Sequence, residues 1–321
     1  MTKFSGCDWI RRLFGRRNVP LRRRVVSGRT RARYDAALRR FNRYCIISRL
    51  VFNPTDFSSA DILVEKYVQV LYDLGAPRSW AGIFLSALND RFPRLRRELP
   101  SGWRSLRAWQ YECPPKRAPP IPRRVVSLWA GRLLFAGRLR EAAGLLLLFH
   151  CFLRPAELLK LRVCDVVGGS VRLIDTKMGQ RRLAEEFVEI SDHFVAHLLA
   201  ISTLGLAGHE PLVPWKYADL RRLVRDFAAQ DNLVEIGFVP YSFRRGGASY
   251  FFRSTGSFDA ALQRGRWQSV KSAKIYINEA RARYVSFRSH ECYDLSLSYE
   301  RAMGEFYSQS GGFGDSVFVS E

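Results

Sequence analysis

A proline-rich segment constrains the fold of this chain more than any other feature. Cys113–Pro122 reads CPPKRAPPIP, and proline lacks both the backbone N–H and the rotational freedom that a helix interior needs. Such a segment favours an extended, semi-rigid spacer, so we place a domain boundary there. The 321 residues are enough for two domains, each with its own core.

The chain before this spacer has the apolar periodicity of a small helical unit. From Thr30 onward, apolar residues recur at three- and four-residue spacing with arginines on the other face, and Pro54 ends the segment. Three further helices are predicted: Ser58–Tyr72, Ser79–Leu88 and Ser105–Tyr111. Two interpretations stay open, a basic unit that lays one helix face on a nucleic-acid groove and a helical cap on the larger domain.

The chain after the spacer is predicted to be helical around one small antiparallel sheet. Gly168 and Gly169 separate two stretches rich in β-branched residues, which is typical of a hairpin. The predicted strands are Val163–Val167, Val171–Asp175 and Phe187–Ile190. The predicted helices are Val125–Phe135, Leu139–Leu153, Ala156–Leu161, Asp192–Ser202, Lys216–Gln230, Ser242–Arg253, Asp259–Arg264 and Ser269–Glu279. The fold class is therefore mainly α, with a helical N-terminal domain and an α+β second domain.

The charge balance predicts a polyanionic partner. Lysine and arginine together number 52 against 30 acidic residues, a net charge of +22, and arginine supplies most of it. The guanidinium fork grips phosphate at two points, so nucleic acid is the leading partner. An anionic membrane is the alternative, but no basic helix with a clean apolar face is evident. The most apolar run, Ala142–Leu153, is too short to span a bilayer, and we expect no membrane association.

Residues 1–30 form an arginine-dominated arm. Two compatible interpretations stay open: a flexible, solvated segment, and an arm that lies on a DNA backbone or carries a nuclear address. The six cysteines are scattered, without CxxC or Cys/His pairs at metal-ligand spacing. We expect reduced thiols, no metal, and a location in the nucleus if the host is eukaryotic, otherwise in the cytoplasm.

Arg154 is the first candidate site residue. It precedes Pro155, which suits the first position of a helix, and Glu157 then falls in the first turn, where a carboxylate is favoured and can steer Arg154. An arginine after a long apolar helix is costly unless it meets an anion. From this stretch alone, a purely structural Arg154–Glu157 pair is an equal alternative.

A second group of candidates lies at a predicted helix start. Tyr241 and Arg244 are three residues apart, so their side chains share one face, and the backbone N–H groups of the first turn favour an anion there. Gly246 and Gly247 permit close approach of a backbone or of DNA. Arg245 is the alternative inward-facing arginine.

Trp267 and Tyr276 complete the set, nine residues apart. An indole N–H only donates, so Trp267 can hold a phosphate oxygen without competing for a proton. Tyr276 lies between Ile275 and Ile277, and taken alone such a tyrosine is usually a core residue with a satisfied hydroxyl.

Taken in order, these residues resemble the tyrosine recombinase (phage integrase) family. The family pattern is Arg, a hairpin Lys, His-x-x-Arg, His or Trp, and a nucleophilic Tyr. Here the corresponding residues are Arg154, Lys177, Tyr241-x-x-Arg244, Trp267 and Tyr276. Leu153–Leu161 is similar to the first arginine box, and Gly265–Tyr276 to the Cre-like branch. The Tyr-Ser-x-Arg-x-Gly-Gly-Ala segment is similar to recombinases of mobile elements of the DIRS and Crypton groups.

The resemblance implies a site-specific recombinase that breaks and rejoins double-stranded DNA through a 3′-phosphotyrosyl bond to Tyr276, without cofactor, metal or ATP. Arg154 and Arg244 would clamp the phosphate, Trp267 would donate to it and Glu157 would support Arg154. Lys177 would protonate the leaving group, although a solvated lysine on a turn is the alternative. Tyr241 departs from the family's usual His, and a phenol is a poor base at neutral pH.

The resemblance also implies the domain plan and the assembly. The expected parts are the arm 1–30, a core-binding domain 31–112, the linker 113–122, a catalytic domain 123–285 and a C-terminal tail 286–321. The family assembles as tetramers on two DNA sites, so a homo-oligomer is expected. Two other functions stay open: a domesticated, catalytically weak or inactive DNA-binding protein of this fold, and an arginine-rich RNA-binding protein.

Overall fold

The computed structural model describes residues 26–173 and 186–310. The chain divides into two units between Lys116 and Arg117, a point inside the proline-rich segment. Each unit has its own hydrophobic core. No helix in the described ranges is long and apolar enough to cross a membrane.

The N-terminal unit packs its helices around an aromatic cluster. Phe41, Tyr67 and Phe84 are buried, with ring centroids 4.7–5.1 Å apart. The helices are α1 (Gly28–Ile47), α2 (Phe57–Asp73), α3 (Arg78–Arg91) and α4 (Pro100–Glu112), with a 3₁₀ turn at Pro93–Leu95.

Helix α4 begins five residues before its predicted start at Ser105. The buried Asp61 carboxylate on α2 accepts from the backbone N–H groups of Ser101 (3.0 Å) and Gly102 (3.1 Å). The first N–H groups of a helix need such acceptors. This cap comes from forty residues away, so the local sequence does not reveal it.

The C-terminal unit is helical with one small sheet, and the predicted fold class is confirmed. Strands β1 (Val166–Val167), β2 (Ser170–Leu173) and β3 (Glu186–Glu189) are antiparallel in the order β1-β2-β3. The helices are α5 (Arg123–Phe135), α6 (Leu139–His150), α7 (Pro155–Leu158), α8 (His193–Ser202), α9 (Tyr217–Gln230), α10 (Tyr241–Thr255), α11 (Phe258–Arg264), α12 (Val270–Lys274), α13 (Glu279–Arg288) and α14 (Tyr293–Gln309), with 3₁₀ turns at Val163–Asp165, Val234–Ile236 and His290–Cys292.

Two glycines let α10 pack against neighbouring backbone. A Cβ atom on Gly246 would lie 2.0 Å from the carbonyl oxygen of Ile121, and one on Gly247 would lie 1.9 Å from that of Phe149. Any larger residue would push these segments apart. The predicted close approach is therefore confirmed, and its partner within the described residues is the protein backbone.

Several predicted boundaries were wrong. The strand Val163–Val167 begins as a 3₁₀ turn because the Asp165 carboxylate accepts from the backbone N–H of Arg162 (2.9 Å). The helix Leu139–Leu153 ends at His150, and Phe152 then takes a left-handed backbone conformation, with φ of 47°. The helix Ala156–Leu161 is the single turn of α7.

The predicted helix Ser269–Glu279 is two helices with Tyr276 between them. Asn278 accepts from the backbone N–H of Arg281 (2.9 Å) and so caps α13. The Ser249 hydroxyl on α10 donates to the carbonyl of Tyr276 (3.3 Å) and accepts from the N–H of Asn278 (3.4 Å). These bonds fix Tyr276 in a turn, where its side chain is half-buried.

The predicted tail is wrong for most of its described length. Helix α14 packs on α5, where a Cβ atom on Gly131 would lie 2.6 Å from the ring of Tyr299. Met303 is fully buried in the core of the same unit. The apolar residues of α14 are buried by this packing, so the unit extends well past residue 285.

Candidate active site

Arg244 is the centre of the candidate site. It lies in the first turn of α10 and is fully buried. One end of its guanidinium donates to the carbonyl of Phe152, and Nη2 donates to that of Gly265 (2.6 Å). Its Nε has no hydrogen-bond partner among the described residues. Arg244 thereby joins the chain segments that carry Arg154 and Trp267.

The two segments held by Arg244 both have unusual backbone. Phe152 has a φ of 47°, and Arg266, which follows Gly265, has a φ of 55°. Bulky residues rarely adopt this left-handed region, and such strain persists only where the surrounding contacts impose it. The buried hydrogen bonds of Arg244 reach both of these segments.

Arg154 and Glu157 form the predicted pair. Glu157 accepts from the backbone N–H of Arg154 (2.8 Å) through Oε2 and from its Nη1 through Oε1. The Glu157 side chain is only 9% exposed, whereas the Arg154 side chain keeps 27% of its surface exposed. The Glu157 carboxylate therefore orients Arg154, and the exposed part of the Arg154 side chain stays accessible to a ligand.

Electrostatics keep Glu157 ionised. Burial by itself would raise the pKa of this carboxyl, but Arg266, Arg154 and Arg244 outweigh burial, and its pKa lies below the ordinary value. For Arg154, burial opposes the charge, but Glu157 and the nearby phenols of Tyr241 and Tyr276 raise its pKa overall. The guanidinium therefore stays charged beside both phenols.

Tyr276 is stacked inside an aromatic column. Its ring lies 4.9 Å from Trp267 at an interplanar angle of 29°, and 6.3 Å from Tyr241. Phe152 continues the column on the far side of Trp267, 6.3 Å away. The Arg244 guanidinium carbon lies 5.0 Å and 5.2 Å from the ring centroids of Trp267 and Tyr276. Cation–π contact of this kind favours a charged arginine over the rings.

Tyr241 is held in its neutral form. Burial raises its pKa, and a hydrogen bond with Tyr276 raises it further, while Arg154 and Arg244 act in the opposite direction without reversing the shift. A neutral phenol can donate a hydrogen bond but does not withdraw a proton at neutral pH. Tyr241 is thus suited to hold an oxygen and unsuited to serve as a base.

Arg266 is a site residue that the sequence argument did not identify. Its side chain is only 8% exposed, and its Nη2 donates to Glu157 Oε2 (2.8 Å). Its position between Gly265 and Trp267 was visible, but neither the left-handed backbone nor the distant carboxylate partners follow from local pattern.

Lys177 lies outside the described residues. Arg245 is also buried, so α10 directs two consecutive arginines inward. Burial raises the pKa of the Cys151 thiol to about 12, so this neighbouring cysteine is not a thiolate at neutral pH. Among the described residues, no cluster of His, Cys, Asp and Glu is placed to hold a metal ion.

Comparison with known proteins gives a fold but no near relative. No family model matches the chain, and no curated protein sequence matches it. Among solved structures, the chain is similar to a lambda integrase fragment (residues 75–356), solved as a dimer bound to a COC′ core site. The TM-score is 0.53 at 16% identity, covering 87% of this chain and 96% of that one.

A second solved structure gives the same result. The chain is similar to the Tn1549 transposon integrase (residues 82–397), solved in complex with circular intermediate DNA, with a TM-score of 0.51 at 13% identity. This match covers 86% of this chain and 97% of that one. Both neighbours are tyrosine recombinases. We conclude that this chain has the tyrosine recombinase fold.

Proposed function

We propose that the protein is a site-specific DNA recombinase or integrase in which Tyr276 is the nucleophile. The observation that carries this proposal is the position of Tyr276. It lies half-buried against Trp267, and the Arg244 guanidinium carbon is 5.2 Å from its ring centroid. Arg154 is near enough that the Tyr276 phenol contributes to the raised pKa of the Arg154 guanidinium. A phenol on a positively charged face is suited to attack a phosphodiester.

The proposed reaction is an exchange of one phosphoester for another. The phenolic oxygen of Tyr276 attacks phosphorus, a Tyr–O–P bond forms and the bond from phosphorus to the 5′-oxygen breaks. The phenolic proton is released as the bond forms, and the 5′-oxygen takes up a proton, for which Lys177 is the proposed donor. Because the covalent link conserves the ester bond, rejoining runs the same steps backward with a 5′-hydroxyl as nucleophile and needs no ATP.

The arginines supply the electrostatic part. Arg154 and Arg244 would bind the non-bridging oxygens, where negative charge grows in the transition state. Nη1 and Nη2 of Arg244 already donate to backbone carbonyls. Arg244 would therefore act on the phosphate through its unpartnered Nε and its fixed positive charge. Arg154, whose side chain keeps 27% of its surface exposed, is the more accessible of the two arginines. Trp267 offers an indole N–H that is buried without a partner among the described residues.

Double-stranded DNA is the proposed partner. The net charge of +22 supports a polyanion, and both structural neighbours were solved with DNA. A tetramer on two DNA sites, an origin in a mobile element, and the division into core-binding and catalytic domains belong to the same proposal.

A second function is favoured by one observation. Tyr241 is neutral and stands where the family pattern has His. A phenol does not serve as a base at neutral pH, so this residue favours a DNA-binding protein of this fold that no longer cleaves DNA. The two functions differ in one measurable species, the covalent protein–DNA adduct.

The experiment traps that adduct. The protein is incubated with a pool of randomised duplexes that carry a nick near the centre, so that cleavage releases a short fragment and prevents rejoining. A recombinase yields a species that survives SDS and is removed by protease. Retention of DNA on a filter without any SDS-resistant species would identify the inactive DNA-binding protein instead.

A further inference from the structure

Arg266 is a buried charge that joins two carboxylates from different segments. Its Nη2 lies 2.8 Å from Glu157 on α7, and its Nε lies 3.8 Å from Glu186 at the start of β3. All three side chains are at most 14% exposed. The strand that begins at Glu186 follows the segment that contains Lys177 in the sequence. Arg266 thus connects α7, which carries Glu157, to strand β3 of the sheet.

This arrangement is costly for the fold. Burying a guanidinium is unfavourable unless its N–H groups are matched, and Nε and Nη1 of Arg266 have no hydrogen-bond partner among the described residues. The backbone at Arg266 is also in the left-handed region, at a φ of 55°. Packing alone would be satisfied by an apolar side chain, so what an arginine adds at this position is the charge matched to the Glu157 and Glu186 carboxylates.

The geometry assigns Arg266 a specific task. Glu157 Oε2 accepts from Arg266 Nη2 and from the Arg154 backbone N–H, each at 2.8 Å, which leaves Oε1 for the Arg154 guanidinium. Both oxygens are therefore committed, and the carboxylate cannot rotate without breaking one of these bonds. We propose that Arg266 is a positioning residue: it fixes the Glu157 carboxylate and, through it, the Arg154 guanidinium that would bind the phosphate.

This inference rests on the proposed function for its catalytic readout. A misplacement of about 1 Å in a clamping group costs about 100-fold in rate. Removing Arg266 should therefore slow adduct formation by about that factor, while DNA affinity, which depends on the whole basic surface, changes little.

The pH dependence separates positioning from a general loss of structure. The charged groups that face Glu157 are Arg266, Arg154 and Arg244, and together they hold its pKa down against burial. Without Arg266, the pKa of Glu157 rises. Glu157 is then protonated over a wider acid range and stops accepting from Arg154, so the acid limb of the cleavage-rate profile moves to higher pH.

The test compares Arg266→Gln with Arg266→Lys and with a control, Arg253→Gln. Arg253 is exposed in the last turn of α10, so its loss removes one charge without touching Glu157. We expect the Gln variant to be about 100-fold slower with its acid limb displaced upward. The Lys variant should retain the wild-type acid limb because it keeps the charge. An unmoved acid limb in Arg266→Gln would overturn the proposal.

A second readout does not need catalysis. With glutamate labelled by ¹³C at the side-chain carboxyl, and the Glu157 signal assigned by its loss in Glu157→Gln, NMR titration gives the pKa of Glu157 directly. The proposal predicts a higher pKa in Arg266→Gln than in wild type, and equal values would reject it. Absence of any adduct from wild-type protein would defeat the proposed function while this titration still decides the role of Arg266. If Arg266→Gln does not fold, the Arg266→Lys variant decides. The proposal predicts that the lysine charge keeps the pKa of Glu157 low, and a raised pKa in that variant would reject it.

Discussion

The phenol ring of Tyr276 lies face to face with the indole of Trp267, with ring centroids 4.9 Å apart. The carbon of the Arg244 guanidinium is 5.0 Å from one ring centroid and 5.2 Å from the other. Tyr276 is therefore held against a charged group and is not simply enclosed by hydrocarbon. This relationship is what separates it from an ordinary core tyrosine.

Arg154→Ala should reduce cleavage far more than binding. The guanidinium would act on charge that develops in the transition state, and removal of one such group costs about 100- to 1,000-fold in rate. Its loss removes one of many phosphate contacts, so we expect DNA affinity to fall by about tenfold or less. Single-turnover cleavage and filter binding measure the two quantities. Arg222→Ala, at an exposed position on α9, is the matched loss of one charge, and equal losses of rate and affinity in Arg154→Ala would contradict the assignment.

Glu157→Gln should destabilise the protein in a pH-dependent way. The folded-state pKa of Glu157 lies below its ordinary value of 4.5, so its ionised form stabilises the fold fully above that pH. This contribution is lost as pH falls through the folded-state pKa. We expect the free energy of unfolding at pH 7 to drop by about 2 kcal/mol. Urea unfolding of both proteins between pH 7 and pH 3 should show the difference shrinking toward acid, and a constant difference would contradict this sign.

Tyr241→His should increase cleavage. Tyr241 is neutral because burial and its bond with Tyr276 raise its pKa, whereas histidine titrates near neutral pH and can accept the phenolic proton. Positioned general bases contribute about 100-fold or more, and we expect at least about tenfold here, measured as adduct formation at pH 8. Tyr241→Phe, which removes the hydroxyl without adding a base, is the control. A gain shared by both variants would show that loss of the phenol, and not a new base, is responsible.

Gly247→Ala should weaken the C-terminal unit. The added Cβ would lie 1.9 Å from the Phe149 carbonyl oxygen, and overpacking costs about 1–3 kcal/mol. Gly304→Ala is the matched control, since nothing lies within 4 Å of a Cβ there and the residue is within α14. It should stabilise by about 0.5–1 kcal/mol. Chemical denaturation measures both variants, and a neutral Gly247→Ala would contradict the close packing.

Features with local causes were predictable from sequence. The proline segment marked the division of the chain because its closely spaced prolines cannot lie in the interior of a helix. The Arg154–Pro155–Glu157 turn was predictable because its hydrogen bonds span three residues. The common helix face of Tyr241 and Arg244 was predictable because it depends only on their three-residue spacing. The resemblance to tyrosine recombinases anticipated the fold because it used the order of several residues at once.

Features with distant causes were missed. Arg266 meets Glu157 from 109 residues away, and nothing near it in sequence implies either partner. The break at Tyr276 depends on Ser249 of α10 and on the capping of α13 by Asn278. Helix α14 has helical spacing, but only burial against Gly131 shows that it belongs to the core.

The most direct test is the identity of the residue joined to DNA. The trapped adduct is digested with protease and nuclease, and the modified peptide is sequenced by mass spectrometry beside a reaction with Tyr276→Phe. We predict a phosphodiester on Tyr276 in the wild-type protein, and no adduct but unchanged DNA binding in the variant. An adduct on another residue, or one that persists in Tyr276→Phe, would contradict the account.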